Sequence, residues 1–206
     1  MNVSRILFVL IAIVMIQCET IPAKIFEEIE KQKEISLAVL SEQEENSLMH
    51  MREEEMLAHD VYTFLSGFYD VPIFSNIANS ELIHTARVKE LIDKYGLEDP
   101  GLNHKPGVFQ DEGIQELYDG LSEKGKISYK DAIEVGLTIE DLDIYDLEMA
   151  LGHEVDNEDI VEVYSFLLMG SKNHMKAFFF HAKSNGIEYI PQYISQEHFL
   201  EIVGEE

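Results

Sequence analysis

The 206 residues, 46% hydrophobic and 27% charged, suffice for one well-buried core plus a leader and some loops. Forty acidic residues against 15 basic ones give a formal charge of -25, which repels phosphate backbones and anionic membrane surfaces and draws in cations, so nucleic acid is excluded as a partner. The single cysteine, Cys18, rules out an intramolecular disulfide and any multi-cysteine zinc or iron site.

The chain opens with Met1-Asn2-Val3-Ser4-Arg5 and an unbroken apolar run from Ile6 to Ile16, the pattern of an export signal. The run is short of the roughly 20 apolar residues that a transmembrane helix needs. Residues 1–18 therefore read as a signal peptide or lipoprotein-like leader, and the expected location is extracytoplasmic, with membrane contact only through this N-terminus. Cys18 stands where a lipoprotein signal places its lipidated cysteine, but Gln17 lacks the small size usual just before it, so lipidation and a free thiol both stay open. Residues 19–43 are mixed and charged, a spacer or accessory helix.

The remainder, residues 44–206, reads as one all-α domain. A first core helix is expected over residues 44–68, stopped by Gly67 and the Asp70-Val71-Pro72 stretch. A second spans residues 74–95 and ends at Gly96. Residues 97–108 hold Pro100, Gly101, Pro106 and Gly107, too many breakers for a regular element. A short amphipathic piece over residues 110–124 follows, so the second and third core helices are joined by a long crossover. Ser128 opens the third, which runs to about Leu151, and Asn157 the fourth, which stops at Asn185-Gly186. The tail from Ile187 onward is expected to lie along the bundle as irregular chain with a last helical turn.

Ionisable residues interrupt the apolar stripes of all four core helices. At steps of three and four, the first stripe reads Leu48, Met51, Glu55, Ala58, Tyr62, Leu65, and the second reads Ile77, Glu81, His84, Val88, Leu91. The third places Glu140, and on the adjacent row Asp143, toward the core; the fourth reads Tyr164, Leu167, Ser171, His174, Phe178. Glu54 and His59 are alternatives to Glu55 as the first helix's contribution, because Glu53-Glu54-Glu55 would ordinarily be a solvated charge run. A buried carboxylate costs several kcal/mol unless paired, protonated or bound to a cation. The stripes offer no Lys or Arg. Two ions of iron, with manganese or zinc as alternatives, would neutralise Glu55, Glu81, Glu140 and Asp143 together, with His84 and His174 as nitrogen ligands. Tyr62 and Tyr164 could orient carboxylates.

These residues resemble the helix signatures of rubrerythrin-type ferritin-like proteins: Glu55-Met56-Leu57-Ala58-His59-Asp60-Val61-Tyr62, Glu81-x-x-His84, Glu140 with Asp143, then His174. The strings Val71-Pro72-Ile73-Phe74-Ser75-Asn76-Ile77-Ala78, Ile139-Glu140-Asp141-Leu142-Asp143-Ile144, Gly170-Ser171-Lys172-Asn173-His174 and Pro191-Gln192-Tyr193-Ile194-Ser195 are more narrowly similar to an uncharacterised prokaryotic ferritin-like domain family. The resemblance implies a ferritin-like four-helix bundle and a di-iron or di-manganese oxidoreductase of ferroxidase or peroxidase type. Its partners would be metal ions, dioxygen or peroxide and an external reductant, and a homo-oligomer is compatible with it. One departure is clear: the pattern expects glutamate on the fourth helix where this chain has Ser171. Asp143 would then supply the missing carboxylate, or one metal position would be weak or absent. A non-catalytic bundle stapled by a metal, serving as a metal-binding or interaction protein, is the alternative. The expected helix ends also leave Glu55 and Glu81 offset in depth by roughly 10 Å at 1.5 Å per residue.

Overall fold

Ser41 starts the first helix through a reciprocal capping box with Glu44. The computed structural model describes residues 39–205, so the expectations for the leader, Cys18 and most of the spacer fall outside the described residues. Among the described residues six helices follow in order: α1 (Glu42–Ser66), α2 (Pro72–Tyr95), α3 (Glu112–Gly125), α4 (Tyr129–His153), α5 (Glu158–Ser184) and α6 (Gln196–Val203). Among the described residues there is no strand, only an isolated bridge between Lys105 and Val108. No helix among them is long and apolar enough to cross a membrane.

The helix boundaries follow local chemistry. Pro72 supplies the pre-set φ of a first helical turn for α2, and Gly96, at φ 68°, closes it in the left-handed conformation that glycine adopts without strain. Asp111, Ser128 and Ser195 each accept a backbone N–H at the starts of α3, α4 and α6. With these ends, Glu55 lies 11 residues before the close of α1 and Glu81 nine after the start of α2. The two-residue difference is about 3 Å of rise. The larger offset expected from the sequence came from running α1 through Gly67 to Phe68 and starting α2 after Pro72.

The four long helices close a ring of contacts, with α1 against α2, α2 against α5, α5 against α4 and α4 against α1. Two apolar clusters divide the interior by height. One gathers Leu57, Val61, Phe74, Ile133, Leu137 and Phe178; the other gathers Leu48, Val88, Ile92, Leu147, Ile160 and Tyr164. Chain direction follows from the order in which each helix meets them: α1 and α5 run one way, α2 and α4 the other. The connection from α2 to α4 must therefore travel the full length of the helices, and α3 lies within it, packed on α1 and α4. Each long helix carries buried ionisable residues between the two apolar clusters.

Buried acids outside that belt act as clamps on irregular chain. Glu53 accepts the N–H groups of Gln110 (2.6 Å) and Asp111 (3.0 Å), and Asp60 accepts that of Gly107 (2.7 Å), which fixes the long crossover to α1. Asp141 accepts the N–H groups of Gln192, Tyr193 and Ile194 and the Tyr189 hydroxyl, fastening the tail to α4. Glu44 binds the backbone N–H groups of Asp156 and Asn157, tying the start of α1 to that of α5. Arg52 is buried as well, against Asp99 (2.9 Å) and the Thr85 carbonyl (2.9 Å). Among the described residues the core thus contains one guanidinium, which holds the crossover.

Candidate metal centre

Glu81 is the hub of the polar belt. One of its oxygens lies 2.7 Å from His84 Nδ1 and the other 2.8 Å from His174 Nδ1. Two groups of converging ligand atoms result, Glu55–Glu81–His84 and Glu81–Glu140–His174, each with all its donor atoms within 4.8 Å of one another and every residue buried. They share Glu81. His84 Nδ1 is also 3.2 Å from Glu55 Oε2, and the two imidazoles stack with centroids 5.4 Å apart.

The surroundings hold these ligands in place. Tyr62 donates its hydroxyl to Glu140 at 2.5 Å and packs its ring on Phe178. Ser80 Oγ sits 2.9 Å from His174 Nε2, so that ring nitrogen is engaged and Nδ1 is left facing the acids. Gly170 is required for His84: a Cβ there would run into the imidazole. Ser171 donates a short hydrogen bond to Asp143 Oδ2 across the α4–α5 interface, while Asp143 Oδ1 has no hydrogen-bond partner.

The electrostatics show a site short of positive charge. Burial pushes Glu55 well above its ordinary range, with Asp143 adding like charge, and burial likewise raises Glu140. Burial, with Glu140 beside it, pushes Asp143 up to about 7. Glu81 alone moves down, to about 2; burial opposes this, but the two imidazoles outweigh it. The same partnership raises His84 to about 11 and His174 to about 10 against the opposing effect of burial.

The buried donors could hold metal ions. Glu55 Oε1, Asp143 Oδ1 and His174 Nδ1 are buried without an aligned hydrogen bond, although His174 Nδ1 is only 2.8 Å from Glu81. A nitrogen and a carboxylate held this close suit an ion pair or a shared cation alike. The charge also balances: Glu55, Glu81, Glu140 and Asp143 carry four negative charges when ionised, and two divalent ions with neutral imidazoles carry four positive ones. Oxygen and nitrogen donors without thiolate suit iron, manganese or zinc.

Of the residues expected from sequence, Glu55, Glu81, His84, Glu140 and His174 come together in the two groups, and Asp143 stands beside them on Ser171. His59 does not; its Nδ1 faces the Ala78 carbonyl at 2.9 Å. Tyr164 reaches Ser47, not a carboxylate of the belt. Glu54 is buried but turns to a third group with His50 and Asp146, which the stripes did not reveal because both partners lie toward the helix surface.

Comparison with known proteins gives a consistent lineage. A curated relative, "Uncharacterized protein MJ0754" of Methanocaldococcus jannaschii, is 49% identical over 164 residues, covering 80% of this chain and 88% of its own. A crystal structure described as hypothetical protein MJ0754 from Methanococcus jannaschii matches with a TM-score of 0.79 at 48% identity, covering 82% of this chain and 95% of that one. The family model described as "Uncharacterized protein domain (DUF2202)" matches residues 44–206, and the chain belongs to that family.

Proposed function

We propose that this protein is an exported, ferritin-like four-helix bundle that holds two transition-metal ions, iron or manganese, in its polar belt and acts as an oxidoreductase of ferroxidase or peroxidase type. One observation carries the reading: Glu81 is shared by two buried groups of carboxylate and imidazole donors that include no Lys or Arg. The direction of the four long helices, with a full-length crossover between α2 and α4, is the connectivity that ferritin-like bundles use.

Bound iron would supply the electrons that reduce dioxygen or peroxide. Glu55 and His84 would hold one ion, Glu140 and His174 the other, with Glu81 offering an oxygen to each. Asp143 supplies the carboxylate that Ser171 lacks, and the Ser171 hydroxyl keeps it turned to the belt. Tyr62 and Ser80 orient Glu140 and His174. The two apolar clusters exclude bulk water from above and below, which strengthens every charge interaction between them. The leader at residues 1–18 supports action outside the cytoplasm, with the reductant supplied from outside the chain.

A second reading, a bundle stapled by one redox-silent ion, is favoured by the loss of a glutamate at Ser171. Anaerobic loading with Fe(II), followed by absorption spectroscopy on adding oxygen or peroxide, separates the two. Two irons per chain that oxidise together support the oxidoreductase. One ion with no spectral change supports the staple.

A further inference from the structure

Beside the shared-Glu81 centre lies a third group of donors, His50 and Glu54 on α1 and Asp146 on α4, with ligand atoms within 4.8 Å of one another. Glu54 is 2% exposed, and neither of its oxygens has a hydrogen-bond partner. His50 Nε2 lies 3.7 Å from Glu54 Oε2 and 3.9 Å from Asp146 Oδ2. These separations exceed a hydrogen bond but suit groups that bracket an ion, since donors about 2.1 Å from a metal stand roughly 3–4 Å apart.

Like charges converge on this group. Asp143, Asp146 and Glu55 all act on Glu54, while Asp111 and Glu154 add to the negative field at His50. Position matters too. Glu54 adjoins Glu55 in the chain, and Asp146 follows Asp143 by one helical turn. His50 is half exposed and Asp146 a quarter exposed, so this group spans from solvent to the wall of the buried belt.

We propose that His50, Glu54 and Asp146 form a separate divalent transition-metal site at the surface of the bundle, from which ions pass inward to the buried centre. The binding part stands on this group alone; the inward passage rests on the reading of the inner centre given above.

The test is Mn(II) titration of the full chain by calorimetry with elemental analysis, and Mn anomalous diffraction to locate the ions. Wild type should take up three ions per chain, with one density peak between His50, Glu54 and Asp146. The surface variant His50→Ala/Asp146→Asn should lose that ion alone, and Glu54→Gln should weaken it at least tenfold. Glu81→Gln should remove the inner pair and leave the outer ion, so a failed inner centre reduces the count to one without touching this site. Unchanged stoichiometry in the surface variant, or no density at His50, overturns the site. Filling of the inner centre, followed by stopped-flow mixing with Co(II), should slow about tenfold in the surface variant; filling at the wild-type rate overturns the passage inward.

Discussion

Ser171 on α5 donates its hydroxyl hydrogen to Asp143 on α4, both side chains buried, and this hydrogen bond occupies the position where the family resemblance expects a glutamate. The carboxylate stands on the facing helix, and the Ser171 hydroxyl holds it. Ser171→Ala removes the donor and leaves both Asp143 oxygens bare. A hydrogen bond to a charged group is worth roughly 1.5–3 kcal/mol. We expect one of the two inner ions to bind about tenfold more weakly, read by calorimetric titration, while the other is unchanged.

The raised pKa of Asp143 gives a pH signature in the metal-free protein. Its folded value, about 7, lies above the ordinary 3.8, so the folded state holds the proton more tightly. Its contribution to stability is complete below pH 3.8 and is lost as pH rises through 7. Asp143→Asn mimics the protonated form. The stability of wild type relative to this variant should fall by roughly 2–4 kcal/mol between pH 4 and 8, measured by urea unfolding with chelator present. Adding Mn(II) should reverse the trend for wild type alone.

Asp141 serves the tail rather than the belt. Its carboxylate accepts from three successive backbone N–H groups and from Tyr189. Asp141→Asn replaces an acceptor pair with one acceptor and one donor facing those N–H groups. Stability should drop by about 2–4 kcal/mol, and hydrogen exchange should rise over residues 189–203. Metal stoichiometry should not change.

Gly170 tests whether the His84 ring position matters apart from its chemistry. Gly170→Ala improves helix propensity by about 1 kcal/mol, yet its methyl group meets the imidazole. The variant should fold as an all-helical protein by circular dichroism but lose the ion held with Glu55 and His84, with every ligand still present.

The convergence of the belt residues was legible because they break apolar stripes. Glu55, Glu81, His84, Glu140 and His174 each sit where the helical period demands an apolar side chain, although Glu55 also ends a run of acids. The roles of Glu53, Asp60 and Asp141 were not legible, since their partners are backbone N–H groups of distant loops that carry no residue signature. The triple acid run is instructive. It reads as a solvated face, but Glu53 clamps the crossover, Glu54 joins His50 and Asp146, and Glu55 enters the belt, all three buried. A helix wrapped on every side by α2, α3 and α4 has no solvated face at that height. Arg52 is buried for the same reason, lying off the stripe yet under the crossover.

The most direct measurement is anaerobic Fe(II) titration of the His50→Ala/Asp146→Asn protein, which lacks the surface site, with and without the further Glu81→Gln/His84→Ala substitutions, iron being counted per chain. Two irons per chain that oxidise on addition of oxygen or peroxide, both lost in the variant while helicity persists, is the result expected. One or no iron in the protein with Glu81 and His84 intact, or two irons still bound in their absence, would contradict a centre built on Glu81.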